Sequence, residues 1–266
     1  MNERPRIECI GLNKVYHDIH GDRVVAFKDI SLQIRRGEFV TVIGPSGCGK
    51  TSLLYMLAGF EPKTSGKMLV DGQGIKGPGA DRAVVFQEYA LFPWLNLRQN
   101  IEYGPRERGM PRDQMNASVD SMLRTVGLET AASRYPHELS AGMRQRAAIA
   151  RVLVNEPKIL LMDEPFAALD AQTRLALQRE LSRLSQEMKL TVMFITHSVE
   201  EAVLLGDRVL VMTARPGQIL ADVPVSFLRP RDPTAPEFND SRREIEELLR
   251  QASTLTADSV GQRRSA

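Results

Sequence analysis

The chain is poor in the residues that would assign it to several large classes. Among 266 residues there are only two cysteines, Cys9 and Cys48, and one tryptophan. Two cysteines make no disulfide framework and point to a reducing, cytosolic compartment. No stretch approaches the roughly eighteen consecutive apolar residues of a membrane span. The N-terminal MNERPRIECIGLNKVY has no long apolar run, which predicts no signal peptide. Formal net charge is only +2, so the strongly basic surface of a nucleic-acid binder is missing. No internal repeat is visible. What remains is the composition of an ordinary globular protein, long enough for one large domain or two small ones. Any membrane role must come through a partner.

The pattern along the chain predicts an α/β fold. Residues 6–43 read as strands and turns, with VVAFKDISLQI alternating and FVTVIG apolar throughout. SLLYMLAG is a short helix ended by Gly59, and KMLVDG and RAVVFQ are short strands. The segments LRQNIEYG, PRDQMNASVDSMLRTVGL and AGMRQRAAIARVLV are helical, which predicts a helical subdomain at about 89–154 inserted in the strand-rich core. KILLMD, TVMFITH and RVLVMT then alternate as strands with the helices AQTRLALQRELSRLSQEM and SVEEAVLLG, implying a largely parallel sheet. RPRDPTAPEF is a proline-rich connector, SRREIEELLRQ a C-terminal helix, and ASTLTADSVGQRRSA a disordered tail. The expected main domain covers 6–240, with the helix and tail in 241–266.

GPSGCGKT, Gly44–Thr51, fits the phosphate-loop pattern G-x-x-x-x-G-K-[ST] and lies between an apolar strand and a helix, as that motif requires. Its glycines let backbone N–H groups curl around phosphate oxygens, and the helix start adds a positive dipole end. Gly44, Pro45, Ser46, Gly47, Cys48, Gly49, Lys50, Thr51 and Ser52 are therefore nucleotide-site candidates. Lys50 would reach the terminal phosphates, and Thr51 would place its hydroxyl on Mg2+. Cys48, at a helix start, is expected to favour the thiolate and to be labelled by a maleimide, with ATP protecting it. ILLMDE is a buried strand delivering two carboxylates, Asp163 for the Mg2+ shell and Glu164 to polarise a water. Alone that segment is weak; beside a phosphate loop it indicates nucleoside triphosphate hydrolysis.

LSAGMRQR, Leu139–Arg146, followed after a helix by ILLMDEP, closely resembles the signature and Walker B segments of ABC transporter ATPases. The resemblance covers roughly residues 6–230 and implies a P-loop NTPase core with an N-terminal antiparallel β region. Tyr16 in KVYHD resembles the adenine-stacking residue, although from pattern alone it is equally a strand aromatic. Gln87 resembles the Q-loop glutamine, touching Mg2+ and water. Asp170 in ALD resembles the D-loop. His197 in FITHS resembles the switch histidine; a lone histidine there is otherwise usually structural. In the family two chains pair head to tail, each ATP lying between one phosphate loop and the partner's signature helix. Ser140, Ala141 and Gly142 would then meet the γ-phosphate held by the partner's loop. Ala141 replaces a glycine of the commonest signature, LSGGQ, and its methyl is expected to restrict the backbone and crowd the phosphate. Met143 replaces the glutamine. The basic residues Arg144, Arg146 and Arg151 are expected to be solvated or phosphate-facing.

The segment YALFPWLN mixes subdomain core with an apolar groove that, in the family, receives a short helix of the membrane subunit. The resemblance implies the ATPase subunit of a bacterial importer: a homodimer at the cytoplasmic face of the inner membrane, docked near Gln87–Trp94 on two integral-membrane permease subunits. A separate periplasmic or extracellular binding protein would deliver the solute, with ATP and Mg2+ as cofactors. ADRAVVFQEYALFPWLNLRQNI and LRPRDP resemble the nitrate, sulfonate and taurine import group. Nothing in the chain encodes the solute, and aromatic acids and vitamin precursors stay open. An exporter fits less well without membrane helices. A soluble ABC ATPase of ribosomes, DNA repair or metal-cluster assembly is the competing class, and a binding module without turnover is disfavoured by Lys50, Asp163, Glu164 and His197.

Overall fold

In the computed structural model, which describes residues 4–261, the β-branched and apolar stretches form two sheets. β1 (Ile7–His17) and β2 (Arg23–Ile34) are an antiparallel pair. β3 (Phe39–Ile43) leads through the glycine-rich loop into α1 (Lys50–Ala58). β4 (Ser65–Val70) returns to pair with β1, and the short β5 (Gln73–Gly74) completes a four-stranded antiparallel sheet of order β2-β1-β4-β5. The second sheet has six strands in the order β10-β9-β3-β8-β7-β6, made by β3 with β6 (Arg82–Val85), β7 (Ile159–Asp163), β8 (Thr191–Ile195), β9 (Arg208–Met212) and β10 (Ile219–Pro224). All its neighbours pair parallel except β10, which runs antiparallel along β9. β10 carries a proline at its last position, which an edge strand tolerates.

α5 (Ala171–Glu187) and α6 (Val199–Leu205) are the crossovers that join β7 to β8 and β8 to β9. Every residue of β3, β7 and β8 is buried. In β7 the sides alternate: Leu160 and Met162 pack with α5 and α6, Ile159 and Leu161 with α1 and the antiparallel sheet. A continuous apolar run is what a parallel strand covered on both faces requires.

Between β6 and β7 the chain builds a helical unit from α2 (Leu97–Glu107), α3 (Arg112–Thr125), 3-10 turns at Glu129–Ala131 and Pro136–Glu138, and α4 (Ala141–Leu153). It has its own core, including Leu97, Ile101, Val119, Leu123 and Ala147. α2 starts with a capping box: Asn96 Oδ1 accepts from the Gln99 N–H at 2.8 Å, and Gln99 Oε1 accepts from the Asn96 N–H at 3.0 Å.

The C-terminus departs from the expectation of a short helix and a disordered tail. α7 runs from Pro236 to Gly261. Pro236 at its first position is a helix-start signal inside the stretch read as connector. Phe238, Ile245 and Ala252 recur every seventh residue and are fully buried in the core. A helix anchored this way extends at the small cost of propagation rather than nucleation. Residues 262–266 of the expected tail lie outside the described residues. The LRPRDP stretch also has a structural task. The buried Arg231 guanidinium donates to the carbonyls of Val203 and Gly206, both at 2.6 Å, and so closes the end of α6.

Candidate active site

The register of the parallel strands brings the sequence-derived residues to one edge. Val42 lies opposite Ile195, Ile195 opposite Asp163, and Met162 opposite Val85. The loop 44–52 follows β3, His197 follows β8, Asp163 and Glu164 close β7, and Gln87 follows β6. Ligands of open parallel sheets bind outside these carboxyl ends.

Gly47 and Gly49 adopt φ of 76° and 95°, the left-handed region that turns the loop around its own N–H groups. At Gly49 a side chain is also excluded by space, since its Cβ would meet Phe27 Cδ1 at 2.7 Å. α1 has no side-chain cap at its start, which leaves its first N–H groups to an anion. Lys50 is buried and its ammonium donates to the carbonyls of Gly44 at 2.7 Å and Pro45 at 3.0 Å. Thr51 Oγ1 donates to Asp163 Oδ1 at 3.2 Å. A hydroxyl and a carboxylate oxygen so placed beside a phosphate loop suit a hard divalent cation such as Mg2+. Burial raises the Asp163 pKa above its ordinary value; the Thr51 hydrogen bond opposes this and the Glu164 charge adds to it. A bound cation would remove that cost.

Glu164 holds a left-handed φ of 44°, rare for a residue with a side chain. Its N–H donates to the Ile195 carbonyl at 3.0 Å, which ties the bend to β8. The same bend brings Glu164 Oε2 to 3.1 Å from His197 Nδ1. Carboxylate and imidazole, far apart in sequence, thus form a pair, with the His197 ring largely exposed. A carboxylate held by a neighbouring imidazole is an arrangement for activating water.

Tyr16, Ser46, Gly47, Gly49, Lys50, Thr51, Ser52 and Glu164 line one cavity of about 260 Å³. The Tyr16 hydroxyl donates to Glu61 Oε2 at 2.5 Å and lies 2.8 Å from Ser52 Oγ, and the Lys14 ammonium sits 4.5 Å from its ring centre. Arg215, which sequence reasoning passed over, lines the same cavity. Gln87 is exposed just beyond β6 and does not line it. Ser140 and Gly142 border a separate cavity of about 590 Å³ with Met143, Arg146 and Thr173. Ser140 caps α4, accepting from the Met143 N–H at 3.3 Å. Asp170 caps α5 and accepts from the Thr173 N–H at 3.0 Å, a bond that holds its carboxyl below the usual range.

Two sequence expectations are corrected, that for Cys48 and that for the arginines of α4. Cys48 is fully buried, and burial pushes its thiol pKa up against the opposing pull of Lys50, so the helix start does not yield a thiolate. Ala141, with its methyl group, is the first helical residue of α4. It is Gly142 that has no room for one: its Cβ would lie 2.5 Å from Thr173 Cγ2. The three arginines each reach a backbone carbonyl: Arg144 that of Leu139 at 2.5 Å, Arg146 that of Val126 at 3.0 Å, and Arg151 that of Ala90 at 2.5 Å. Arg144 also covers Tyr89, and Arg151 covers Phe92.

A family model described as "ABC transporter" matches residues 27–167. The chain belongs to the ABC transporter family. Within that family it is an ATPase subunit coupled to transport. It is similar to the nitrate import ATP-binding protein NrtD of Synechocystis sp., at 43% identity over 96% of this chain and 98% of that protein. It is similar also to the taurine import ATP-binding protein TauB of Roseobacter denitrificans, at 45% over 86% and 88%. Among solved structures it resembles an ATP-binding cassette captured as a dimer in a post-hydrolysis state with ADP and Pi, with a TM-score of 0.72, 28% identity, and coverage of 84% and 100%.

Two outcomes follow for this ABC ATPase. Because Asp163 is more easily protonated in the folded than in the unfolded chain, its charge costs stability at neutral pH. Asp163→Asn is expected to raise the unfolding temperature of the nucleotide-free protein at pH 7, and the gain should shrink as the pH falls towards the ordinary aspartate value. An Asn variant less stable than wild type at pH 7 would contradict this. The second concerns thiols: burial raises both, Cys9 to about 12. Mass spectrometry after a brief maleimide exposure should find neither Cys9 nor Cys48 labelled in the folded chain and both labelled in urea.

Proposed function

We propose that this chain is the ATP-hydrolysing subunit of an importer for nitrate, a sulfonate, taurine or a related small organic anion. It works as an ATP-bound homodimer beneath two permease subunits, peripheral to the cytoplasmic face of the membrane, with a binding protein delivering solute outside. The observation that carries this reading is a hydrolytic set at the phosphate loop combined with a second, separate cavity at Ser140 and Gly142. In a head-to-tail dimer the second cavity completes the partner's site. The names of the import relatives and the dimeric ADP-bound cassette support it. Among the described residues no helix is long and apolar enough to cross a membrane; the permease is a separate chain in this reading.

In this reading each site residue has a role. Backbone N–H groups of the loop and of α1 bind the phosphates. Lys50 exchanges its two carbonyl partners for phosphate oxygens. Thr51 and Asp163 would hold Mg2+, and Gln87, exposed just beyond β6, would have to move to join them. That ion, when bound, neutralises charge on the phosphates. Glu164 accepts the proton of the attacking water, and His197 holds the Glu164 carboxylate through Nδ1. Tyr16 offers its ring to adenine. Asp170 and Ser140, Ala141 and Gly142 meet the partner. Phe92, Tyr103 and the largely exposed Trp94 form the aromatic surface on which a permease helix docks.

Glu164→Gln tests both parts. Loss of a general base should slow ATP hydrolysis by at least about a hundredfold, with ATP binding and ATP-dependent dimerisation retained. The tagged variant, purified from its native cells in mild detergent with Mg-ATP, should bring down a multi-span permease. Ribosomal, DNA-repair or cluster-assembly partners instead would overturn the importer reading. Wild-type turnover would overturn Glu164 as the base.

A further inference from the structure

One exposed cation at the nucleotide cavity has no role in the scheme above. Arg215 belongs to the turn between β9 and β10 and lines the cavity with Tyr16, Ser46, Gly47, Lys50 and Glu164. Its Nε donates to the Gly47 carbonyl at 3.2 Å. Its Nη2 lies 3.2 Å from where a Gly47 Cβ would be, so a bare glycine leaves room for the guanidinium against the loop. That one hydrogen bond leaves most of its N–H donors unused. Among the described residues Arg215 forms no ion pair, unlike Arg208 and Arg229, which are paired with carboxylates.

The base of this turn is fixed. The Gly217 N–H donates to the Ala26 carbonyl at 2.9 Å, and the Gly217 carbonyl accepts from the Lys28 N–H at 3.0 Å. A Cβ on Gly217 would lie 2.0 Å from the Cys48 carbonyl oxygen, so the turn rests directly on the back of the phosphate loop. The Gln218 N–H donates to Thr213 Oγ1 at 3.0 Å, and the Thr213 N–H donates to the Gln218 carbonyl at 2.9 Å. Arg215 therefore projects from an ordered support.

Charge argues in the same direction. The charged side chains lining the cavity are Lys50, Arg215 and Glu164, with Asp163 immediately behind Thr51. Arg215 adds a second positive side chain to Lys50 at a site that must take a polyanion beside two carboxylates. We propose that Arg215 is a second cationic ligand of the nucleotide's phosphate chain, acting with Lys50 from the same cavity. The inference rests on the nucleotide-site reading above. A guanidinium on phosphate is a strong, charge-assisted contact.

The test is equilibrium binding to the whole chain, without turnover. ATP affinity is measured by titration calorimetry and adenosine affinity by competition, for wild type, Arg215→Ala, Arg215→Lys and Lys50→Ala. Arg215→Ala should weaken ATP by about tenfold or more, with adenosine unchanged and Arg215→Lys recovering part of the loss. Unchanged ATP affinity in Arg215→Ala, alongside a loss in Lys50→Ala, overturns the inference alone. Equal weakening of ATP and adenosine overturns it too, because Arg215 would then only shape the pocket. ATP binding that survives Lys50→Ala overturns the phosphate-loop reading itself, and this inference with it.

Discussion

Burial of β3, β7 and β8 on both faces is the constraint on which the rest of the site depends. No charged side chain can stand along such a strand without a large desolvation cost. Polar groups within them are threonines that find partners, as Thr41 Oγ1 does with the carbonyls of Ala202 and Arg208 at 3.3 and 3.2 Å. Charge is therefore displaced to the strand ends. Because the strands are parallel and in register, the displaced groups converge on a single edge. Asp163 is the exception that shows the rule. It is the last residue of β7 and buried, and it is the carboxylate there whose pKa is driven up by burial.

One residue further on, the chain must leave the sheet abruptly for Glu164 to meet His197. It does so with a backbone conformation that costs about 1–3 kcal/mol for a residue with a side chain. The hydrogen bond from the Glu164 N–H to the Ile195 carbonyl holds that conformation from the neighbouring strand. The strand supplying this carbonyl also leads to His197, so both members of the pair are positioned by the end of β8. Geometry at the reacting groups is thus fixed by backbone bonds, and the side chains stay free of other obligations.

Local features were legible in the sequence. The phosphate loop, the strand ending in Asp163 and Glu164, and the helices of the inserted unit all rest on contiguous residues, and each is found where its pattern placed it. What escaped depends on distant segments. β10 is a strand because β9 offers it an edge, not because ILADVP alternates. Cys48 sits where a helix start would favour a thiolate, but Gly44 and Lys50 enclose it, its Sγ lying 3.2 Å from where a Gly44 Cβ would be. Arg215 follows β9 in sequence, and only the pairing of β9 with β3 brings its turn to the phosphate loop. The length of α7 depends on three buried residues meeting the far face of the sheet.

The cavity at Ser140 and Gly142 is tied to the aromatic surface through packed side chains. α4 carries Ser140 and Gly142 at its start and Arg144 and Arg151 along its length. Arg144 lies over Tyr89, and Arg151 binds the Ala90 carbonyl and covers Phe92, so α4 is clamped to the segment that follows Gln87. At its other end Gly142 is pressed against Thr173, and the Thr173 N–H is bound by Asp170. Through Phe92 the aromatic surface is therefore in contact with α4, and at Gly142 α4 meets the start of α5. In the proposed dimer those helix starts are the groups presented to the partner's nucleotide. The bare Cα at residue 142 then has a packing reason independent of any approach to phosphate: it leaves room for the Thr173 methyl where α4 meets α5.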